Sequence, residues 1–538
     1  MKKILLVVLM CCLGGAAVAQ FEGKPKLVVG IIVDQMRQDY IHRYWDRLGD
    51  DGLKMLVSEG YEFKNAHYNY VPTYTGPGHA SVYTGTTPSR HGIIANSWYS
   101  RSLGRQMYCA EDSTVQSVGA SGRSGEISAF NLKSTTITDE LRIFSNDRSK
   151  VVGVAIKDRG SALPAGHNPT AAYWYHSASG DFISSTYYTS ELPPWVKAFN
   201  ERDLPQQYAS QKWELLLEPG QYMESTVDDT PYERPIASKE TPTLPYDLSE
   251  GELNDILSTP YGNTLTLEFA LAALENEDMG ADGITDFLAV SFSSPDIAGH
   301  AFGPRAIEIE DLYLRFDKDI ARLLKSLNET VGEGEYVVFL TADHGVADVP
   351  AYYVANKYPG GYFNGKSTIQ TIAAAAAAKY GVGNWVLNVS NNQVFLNREL
   401  IASKGLGLRD VQAYISTIIQ GLDFVSEVLI SEDLKVRNMT DPFIRKFQNG
   451  YNTDLSGDLL IVPKSGYLSN DYGERGTSHG SGYNYDTQVP IIFYGKDVPT
   501  GSSVRNVSIT DIAPTISMML DVPLPSAATG TPLIELFE

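Results

Sequence analysis

The feature that most constrains the fold is a series of apolar segments, rich in β-branched residues, that end in polar side chains. They are KLVVGIIVDQM at 26–36, VVGVAIKDRG at 151–160, DFLAVSFSSPD at 286–296, YVVFLTADHG at 336–345 and VPIIFYG at 489–495. A strand that is apolar on both faces is typical of a buried parallel sheet. The segment 309–328 between two of them has apolar residues at helical spacing. We therefore predict a doubly wound α/β fold with a mostly parallel central sheet and helices on both faces.

Polar residues that can do chemistry fall at or just past the ends of four of these segments. They are Asp34, Lys157, Asp296 and Asp343. In open α/β sheets, functional sites lie at the carboxyl ends of the strands. The coincidence across four strands predicts one site along this edge.

The chain has 538 residues, which is long enough for one large domain with insertions. Two stretches interrupt the alternation of strands and helices, at about 175–260 and about 350–470. The second contains six alanines at 373–378, which we predict to be helical. We expect residues 20–538 to form one domain, with both stretches as insertions or caps over the sheet edge.

The first 19 residues have the pattern of a secretory signal peptide. A basic start at Lys2 and Lys3 precedes an apolar run at 4–13 and the cleavage pattern Ala17-Val18-Ala19. No other segment has the length and apolarity of a membrane helix. We predict an exported, periplasmic protein without membrane insertion, with secretion as the alternative. Cys109 is then the one cysteine left, so no internal disulfide can form.

The formal net charge of −21 argues against nucleic acid or an anionic membrane as a partner. Exposed charges are screened beyond about 8 Å at physiological salt, so an acidic exterior does not exclude an anionic small molecule. Nothing in the sequence implies a protein partner.

Three acids and three histidines share the strand ends and glycine-rich loops. Beyond Asp34, the motif SSPDIAGHAFGP contributes Asp296 and His300, LTADHG contributes Asp343 and His344, and GTSHGSG contributes His479. Carboxylate and imidazole groups suit zinc, and a catalytic zinc has about three protein ligands. Six ligands predict two zinc ions, and paired ions stabilise both the attacking and the leaving oxygen of a displacement.

These motifs, in this order along the chain, resemble those of the alkaline phosphatase superfamily. The similar segments are VDQMRQDY, TYTGPGHASVYTGTTPSRHGIIANSWY, SSPDIAGHAFGP, TADHG, GTSHG and VSITDIAPTISMMLDVPLP. GVAIKDRG together with Asn96 is similar to the PafA-type alkaline phosphatases, which hydrolyse small phosphate monoesters in the bacterial periplasm. The resemblance spans almost the whole chain after the signal.

The resemblance also implies a role for each residue of the site. Thr75 would be the nucleophile, forming a phosphothreonine that water hydrolyses. One zinc ion would be held by Asp34, Asp343 and His344, with Thr75 completing its shell, and the other by Asp296, His300 and His479. The non-bridging phosphate oxygens would be bound by Asn96, Lys157 and Arg159.

Two features of the residues themselves agree with these roles. Thr75 precedes GPGHASVYTG, where a helix is expected to begin, and a helix N-terminus favours an anion. Lys157 and Arg159 are two residues apart, so at the end of an extended strand they would share one face. Two cations suit the dianion of a monoester, and we therefore predict weak activity on diesters.

Three other functions stay open at this point. A phosphodiesterase or nucleotide pyrophosphatase of the same superfamily would not need the Lys157–Arg159 pair. A sulfatase is suggested by the string 86–90, TTPSR, but Thr86 replaces the Cys or Ser that is converted to formylglycine. A non-catalytic exported binding protein of this fold is the third. We expect structural or supporting roles for His79, His91 and His167.

Overall fold

The computed structural model describes residues 23–469 and 474–538. The predicted signal peptide at 1–19 lies outside the described residues. None of the helices in the described part of the chain has the length and apolarity to cross a bilayer.

The strands within these ranges are Leu27–Val33 (β1), Tyr61–His67 (β2), Ser97–Ser100 (β3), Arg105–Tyr108 (β4), Ser117–Val118 (β5), Val151–Ala155 (β6), Ala171–His176 (β7), Asp181–Ser185 (β8), Lys212–Trp213 (β9), Tyr246–Asp247 (β10), Asp286–Phe292 (β11), Tyr336–Thr341 (β12), Gly361–Phe363 (β13), Val386–Ser390 (β14), Gln393–Leu396 (β15), Val425–Ile430 (β16), Leu459–Pro463 (β17), Tyr467–Ser469 (β18), Gln488–Gly495 (β19), Gly501–Ser503 (β20) and Val507–Ser508 (β21).

The α-helices within the same ranges are Asp39–Arg43 (α1), Leu53–Glu59 (α2), Thr75–Thr84 (α3), Pro88–His91 (α4), Ile137–Phe144 (α5), Asp158–Ala165 (α6), Pro194–Asn200 (α7), Leu204–Ala209 (α8), Pro260–Asn276 (α9), Ser294–Phe302 (α10), Ile307–Thr330 (α11), Pro350–Ala355 (α12), Gly365–Tyr380 (α13), Arg398–Ser403 (α14), Leu408–Gln420 (α15), Ser431–Val436 (α16), Pro442–Gly450 (α17), Asn484–Thr487 (α18) and Ile512–Leu520 (α19).

A large twisted sheet forms the centre of the molecule, with the strand order β20-β2-β19-β12-β1-β11-β6-β7-β8-β5. The five strands from β12 to β7 are parallel to one another. Every residue of β1, β11 and β12 is buried, so helices cover both faces of the sheet. The α/β fold with a mostly parallel sheet is confirmed.

All five apolar segments become strands of this sheet, but the last of them runs the other way. β19 is antiparallel to both of its neighbours, β12 and β2. It is nevertheless buried over most of its length. An apolar run reports burial of both faces, and it carries no information about strand direction.

Residues 364–463 contain a second, smaller sheet with its own core. Its strands follow the order β14-β15-β17-β16, and α13 and α15 pack beside it around residues such as Ile372, Trp385 and Ile415. The six alanines lie within α13, as predicted. In the other inserted stretch, β8 joins the main sheet, and Trp213 and Tyr246 pack into the main core.

Candidate active site

The site lies where four adjacent parallel strands end. In the order β12, β1, β11 and β6, these strands are followed by Asp343, Asp34, Asp296 and Lys157. Because parallel strands end at one edge, side chains from distant parts of the chain meet there. His479 reaches the same edge from a loop that precedes α18.

Asp34, Asp343 and His344 form the first group of candidate metal ligands. One ligand atom from each lies within 4.8 Å of the other two. His344 Nε2 is 3.4 Å from Asp34 Oδ1 and 3.6 Å from Asp343 Oδ2, and all three side chains are fully buried. The three residues assigned to one zinc from the sequence are thus brought together.

The second group of candidate metal ligands contains His344 where the family resemblance implies His300. Asp296, His344 and His479 satisfy the same distance limit, so His344 stands between the two groups. Its ring stacks on that of His479 with the centroids 3.5 Å apart. Asp296 Oδ1 is 3.2 Å from His300 Nε2 and 3.4 Å from His479 Nε2. His300 therefore joins this group through Asp296.

Backbone carbonyls fix the orientation of all three histidine rings. The Nδ1 atoms of His300, His344 and His479 lie 2.8, 2.9 and 2.7 Å from the carbonyl oxygens of Thr477, Gly345 and Thr73. A carbonyl oxygen can only accept, so Nδ1 carries the proton in each ring. Nε2 of each ring is then the nitrogen that faces the carboxylates, which is the usual orientation of metal-binding histidines.

Three buried atoms in the first group have no hydrogen-bond partner within 23–469 and 474–538, and they face one another. They are Asp34 Oδ1, Asp343 Oδ2 and His344 Nε2. Ionised carboxylates and a neutral imidazole nitrogen are acceptors, and acceptors placed together in a buried site favour a cation. Two carboxylates and an imidazole are ligands of zinc. The donor set therefore fits the metal expected from the sequence.

The pKa values reflect the same crowding of charge. Burial raises the pKa of Asp34 well above its usual range, and the Asp296 and Asp343 carboxylates raise it further. Burial also raises the pKa of Asp343 to about 7. Burial lowers the pKa of both His344 and His479 to about 3, which keeps these rings neutral. Burial acts to lower the pKa of His300, but the Asp296 carboxylate raises it above its ordinary value.

Thr75 is the first residue of α3 and is 1% exposed. The helix lies against the end of β12, since a Cβ on Gly78 would be 2.4 Å from the Asp343 carbonyl oxygen. His79 Nδ1 donates to the Thr75 carbonyl and lies 3.5 Å from Asp343 Oδ2. Glycine at 78 thus permits the approach that brings the Thr75 segment to the ligand groups.

Asn96 is held beside Thr75 by the backbone. Its Oδ1 accepts a hydrogen bond of 2.7 Å from the N–H of Gly76, at the start of α3. The side-chain amide nitrogen is therefore the atom left to donate to a ligand. Asn96 also lines a cleft of about 430 Å³ with Tyr74 and His300, together with residues of the smaller sheet.

Lys157 and Arg159 both reach the site, but the strand argument for their shared face is wrong. β6 ends at Ala155, and Arg159 lies in the first turn of α6. A helix turn at the strand end directs both side chains to the edge. Lys157 Nζ lies 2.6 Å from Asp34 Oδ2 and 2.5 Å from Asp296 Oδ2, so its contacts are carboxylates of both groups.

The Arg159 guanidinium bridges the threonine and a neighbouring tyrosine. Its Nη2 is 3.4 Å from Thr75 Oγ1, and its Nη1 donates to the Tyr108 hydroxyl at 3.1 Å. The Tyr108 hydroxyl in turn donates to Asp158. Although burial acts to lower it, Tyr108, Cys109 and Asp158 raise the pKa of Arg159 above its ordinary value, so it stays a cation.

Sequence reasoning missed one residue of the site, Gln35. Its backbone N–H donates to Asp343 Oδ1 and its side-chain amide donates to Asp296 Oδ1. A glutamine next to a candidate ligand has no pattern of its own, so nothing in the sequence marks it. His91 and His167 contact Ser81 and Asp139 outside the ligand groups.

The family model for type I phosphodiesterase / nucleotide pyrophosphatase matches residues 28–484. Alkaline phosphatase PafA of Elizabethkingia meningoseptica is 44% identical over 99% of this chain and 98% of its own. The crystal structure of wild-type PafA superposes with a TM-score of 0.93, at 44% identity, and covers 96% of this chain and 99% of its own.

The chain belongs to the PafA-type alkaline phosphatases. PafA-type alkaline phosphatases are enzymes that hydrolyse phosphate monoesters, so the predicted superfamily, enzyme class and reaction are confirmed. The non-catalytic alternative is set aside with them. A protein of Myroides odoratus that is named calcium-transporting ATPase is also 42% identical to this PafA-type chain, over 100% of this chain and 99% of its own.

Proposed function

We propose that this alkaline phosphatase uses Thr75 as its nucleophile and two zinc ions as cofactors. Asp34, Asp343 and His344 would hold one ion, with the Thr75 hydroxyl, and Asp296, His300 and His479 the other. The observation that carries the proposal is a set of buried acceptors at the strand ends beside Thr75, which have no hydrogen-bond partner in the described part of the chain. His344 stands between the groups, which suits two ions that share one reaction centre.

Bound zinc would supply Lewis acidity, which polarises a phosphoryl oxygen and favours the deprotonated threonine hydroxyl. The Thr75 Oγ1 would attack phosphorus as the bond to the leaving alcohol breaks, which gives a phosphothreonine. Water would then attack the same phosphorus, and inorganic phosphate would leave as Thr75 regains its proton. The N-terminus of α3 favours the anion in both steps.

Asn96, Lys157 and Arg159 would bind the non-bridging oxygens. Asn96 is bonded through its Oδ1 to the Gly76 N–H, next to Thr75, and Arg159 Nη2 lies 3.4 Å from Thr75 Oγ1, which supports these roles. Lys157 lies between Asp34 and Asp296, so its charge lies at the centre of the site. A monoester dianion carries more charge for these groups than a diester does, which supports preference for monoesters.

The family model leaves phosphodiester hydrolysis as the second candidate. Rates for an aryl phosphate monoester and its aryl methyl diester distinguish the two. Faster cleavage of the diester would refute the monoesterase proposal. ATP belongs in the same assay because of the name of the Myroides relative. Its terminal phosphoryl group presents three non-bridging oxygens to the same residues.

The nucleophile is tested by replacing one hydroxyl. Thr75→Ala is expected to abolish formation of labelled phosphoenzyme in an acid quench while zinc stays bound. Thr84→Ala is the matched control, since Thr84 lies in the same helix and its Oγ1 donates to the Ala80 carbonyl. Labelled phosphate trapped on the Thr75→Ala protein would rule out Thr75.

Two further parts of the proposal concern the context of the enzyme. We place it in the periplasm, because the first 19 residues have the signal pattern. We also propose that residues 175–260 and 350–470 act as caps over one catalytic domain. Residues of the smaller sheet, such as Asn391 and Phe424, line the cleft beside Asn96, which supports a role near the leaving group.

A further inference from the structure

Gln35 contacts one carboxylate from each of the two ligand groups. Its backbone N–H donates to Asp343 Oδ1 at 3.1 Å, and its side-chain Nε2 donates to Asp296 Oδ1 at 2.6 Å. The residue is 2% exposed, so no solvent competes for these hydrogen bonds. Gln35 is therefore a direct link between the two groups.

The backbone of Gln35 adopts an unfavourable conformation that these two contacts explain. Its φ is +68°, a left-handed value that is uncommon for a residue with a side chain. Glycine takes this conformation more readily, but it has no amide with which to reach Asp296. Strained residues of this kind cluster at functional sites, where the surrounding structure holds them in place.

The helix that carries the Asp296 group is shaped to receive the Gln35 amide. A Cβ on Gly299 would be 1.9 Å from Gln35 Oε1, so only glycine leaves room for the amide there. Gly299 lies in α10 between Asp296 and His300. The amide is thus packed against the segment that supplies two of the candidate ligands.

The two hydrogen bonds each hold one carboxylate oxygen, and so fix how the carboxylates of Asp343 and Asp296 face the other candidate ligands. With Asp343 Oδ1 occupied by the Gln35 N–H, Asp343 Oδ2 faces His344 and has no hydrogen-bond partner among the residues that the structure describes. Asp296 Oδ1, which accepts from the amide, is also the oxygen that faces His300 Nε2 and His479 Nε2, while Asp296 Oδ2 meets Lys157. Donors to ligand carboxylates fix their orientation and affect metal affinity.

We propose that Gln35 is a positioning residue that holds the Asp296 carboxylate for metal binding through its side chain, and the Asp343 carboxylate through its backbone. The inference rests on the proposed function, because it takes both carboxylates to be zinc ligands. It predicts that side-chain substitutions weaken one metal site selectively. The backbone contact to Asp343 remains in every variant.

The test measures zinc affinity on the full-length enzyme by competition with a chromophoric chelator, together with zinc content. Gln35→Met keeps the length of the side chain and removes the donor. Gln35→Gly also removes the donor and suits the left-handed backbone, so it guards against misfolding. Both are expected to weaken one of the two zinc ions by about 10–100-fold and to leave the other unchanged.

The control is Gln412→Met in α15, the helix that packs beside the smaller sheet. Gln412 is a buried glutamine whose amide donates to Ser431 Oγ and the Asp458 carbonyl, away from the ligand groups. We expect it to leave both zinc affinities unchanged. We also expect Gln35→Gly to melt no lower than the wild type when both are kept in chelator, because its effect is on metal binding.

Two results would overturn the inference. In the first, both Gln35 variants bind both zinc ions as tightly as the wild type. In the second, both ions weaken equally and the metal-free variant melts lower, which would mark Gln35 as structural. A wild-type protein that takes up fewer than two ions would instead contradict the proposed function, so the two failures are distinguishable.

Discussion

Replacing Arg159 with alanine tests how the site recognises a phosphate monoester. Of its donors, Nη1 is used by the Tyr108 hydroxyl, whereas Nη2 faces Thr75 Oγ1. Its Nε is buried and has no hydrogen-bond partner among the described residues. Nε and Nη2 together form one edge of the guanidinium, which can bind two phosphate oxygens at once.

The size of the effect follows from this edge of the guanidinium, which faces the Thr75 hydroxyl. A hydrogen bond to a charged group contributes about 1.5–3 kcal/mol, so losing both hydrogen bonds from this edge removes about 3–6 kcal/mol for a monoester. This loss corresponds to a fall of about 10²–10⁴-fold in kcat/KM. A diester has one fewer charged oxygen to bind, so we expect its kcat/KM to fall less. Arg159→Lys retains the charge without the paired donors, so its kcat/KM for the monoester should lie between those of the wild type and Arg159→Ala.

The assay is kcat/KM for an aryl monoester and the matching aryl methyl diester on the same enzyme samples. Arg101→Ala is the control, because the Arg101 guanidinium binds Asp458 and the Ser456 carbonyl in the smaller sheet. We expect this control to leave both substrates unaffected. An equal loss on monoester and diester after Arg159→Ala would refute the reasoning.

Two other predictions concern metal and pH. Removal of divalent metal by a chelator at neutral pH should abolish phosphatase activity and lower the melting temperature, because an ion that binds only the folded state stabilises it. Added zinc should restore both the activity and the melting temperature. Activity that survives full chelation would contradict a metal-dependent enzyme. Glu233 is 1% exposed, and burial raises its pKa to about 8. In the folded protein the Glu233 carboxyl therefore retains a proton that it releases above about pH 4.5 in the unfolded chain. Its contribution to the free energy of unfolding falls as the pH rises from about 4.5 to about 8. Glu233→Gln removes this loss, and melting curves should show a gain that grows between pH 5 and pH 8; a gain of equal size at both pH values would count against it.

The sequence was most informative where chemistry is local to one segment. The five apolar segments predicted the strands, and the acids that follow them predicted the edge where the site lies. The prediction of the site from the sequence was less complete. His344 stands between two ligand groups that the sequence treated as separate, and Gln35 had no visible role. Arg159 reaches Thr75 from a helix turn, although its spacing suggested a strand.

The amino-acid sequence by itself determined which donor atoms the chain can offer and which segments are apolar enough to be buried as strands. Tertiary structure alone decided which donors meet, because Asp34 lies more than 250 residues before Asp296 and Asp343 and joins them through strand order. It also decided the direction of β19 and the left-handed backbone of Gln35. Both features depend on packing between segments that are distant in the sequence. A sequence pattern contains composition and spacing, but it does not show which distant segments are in contact.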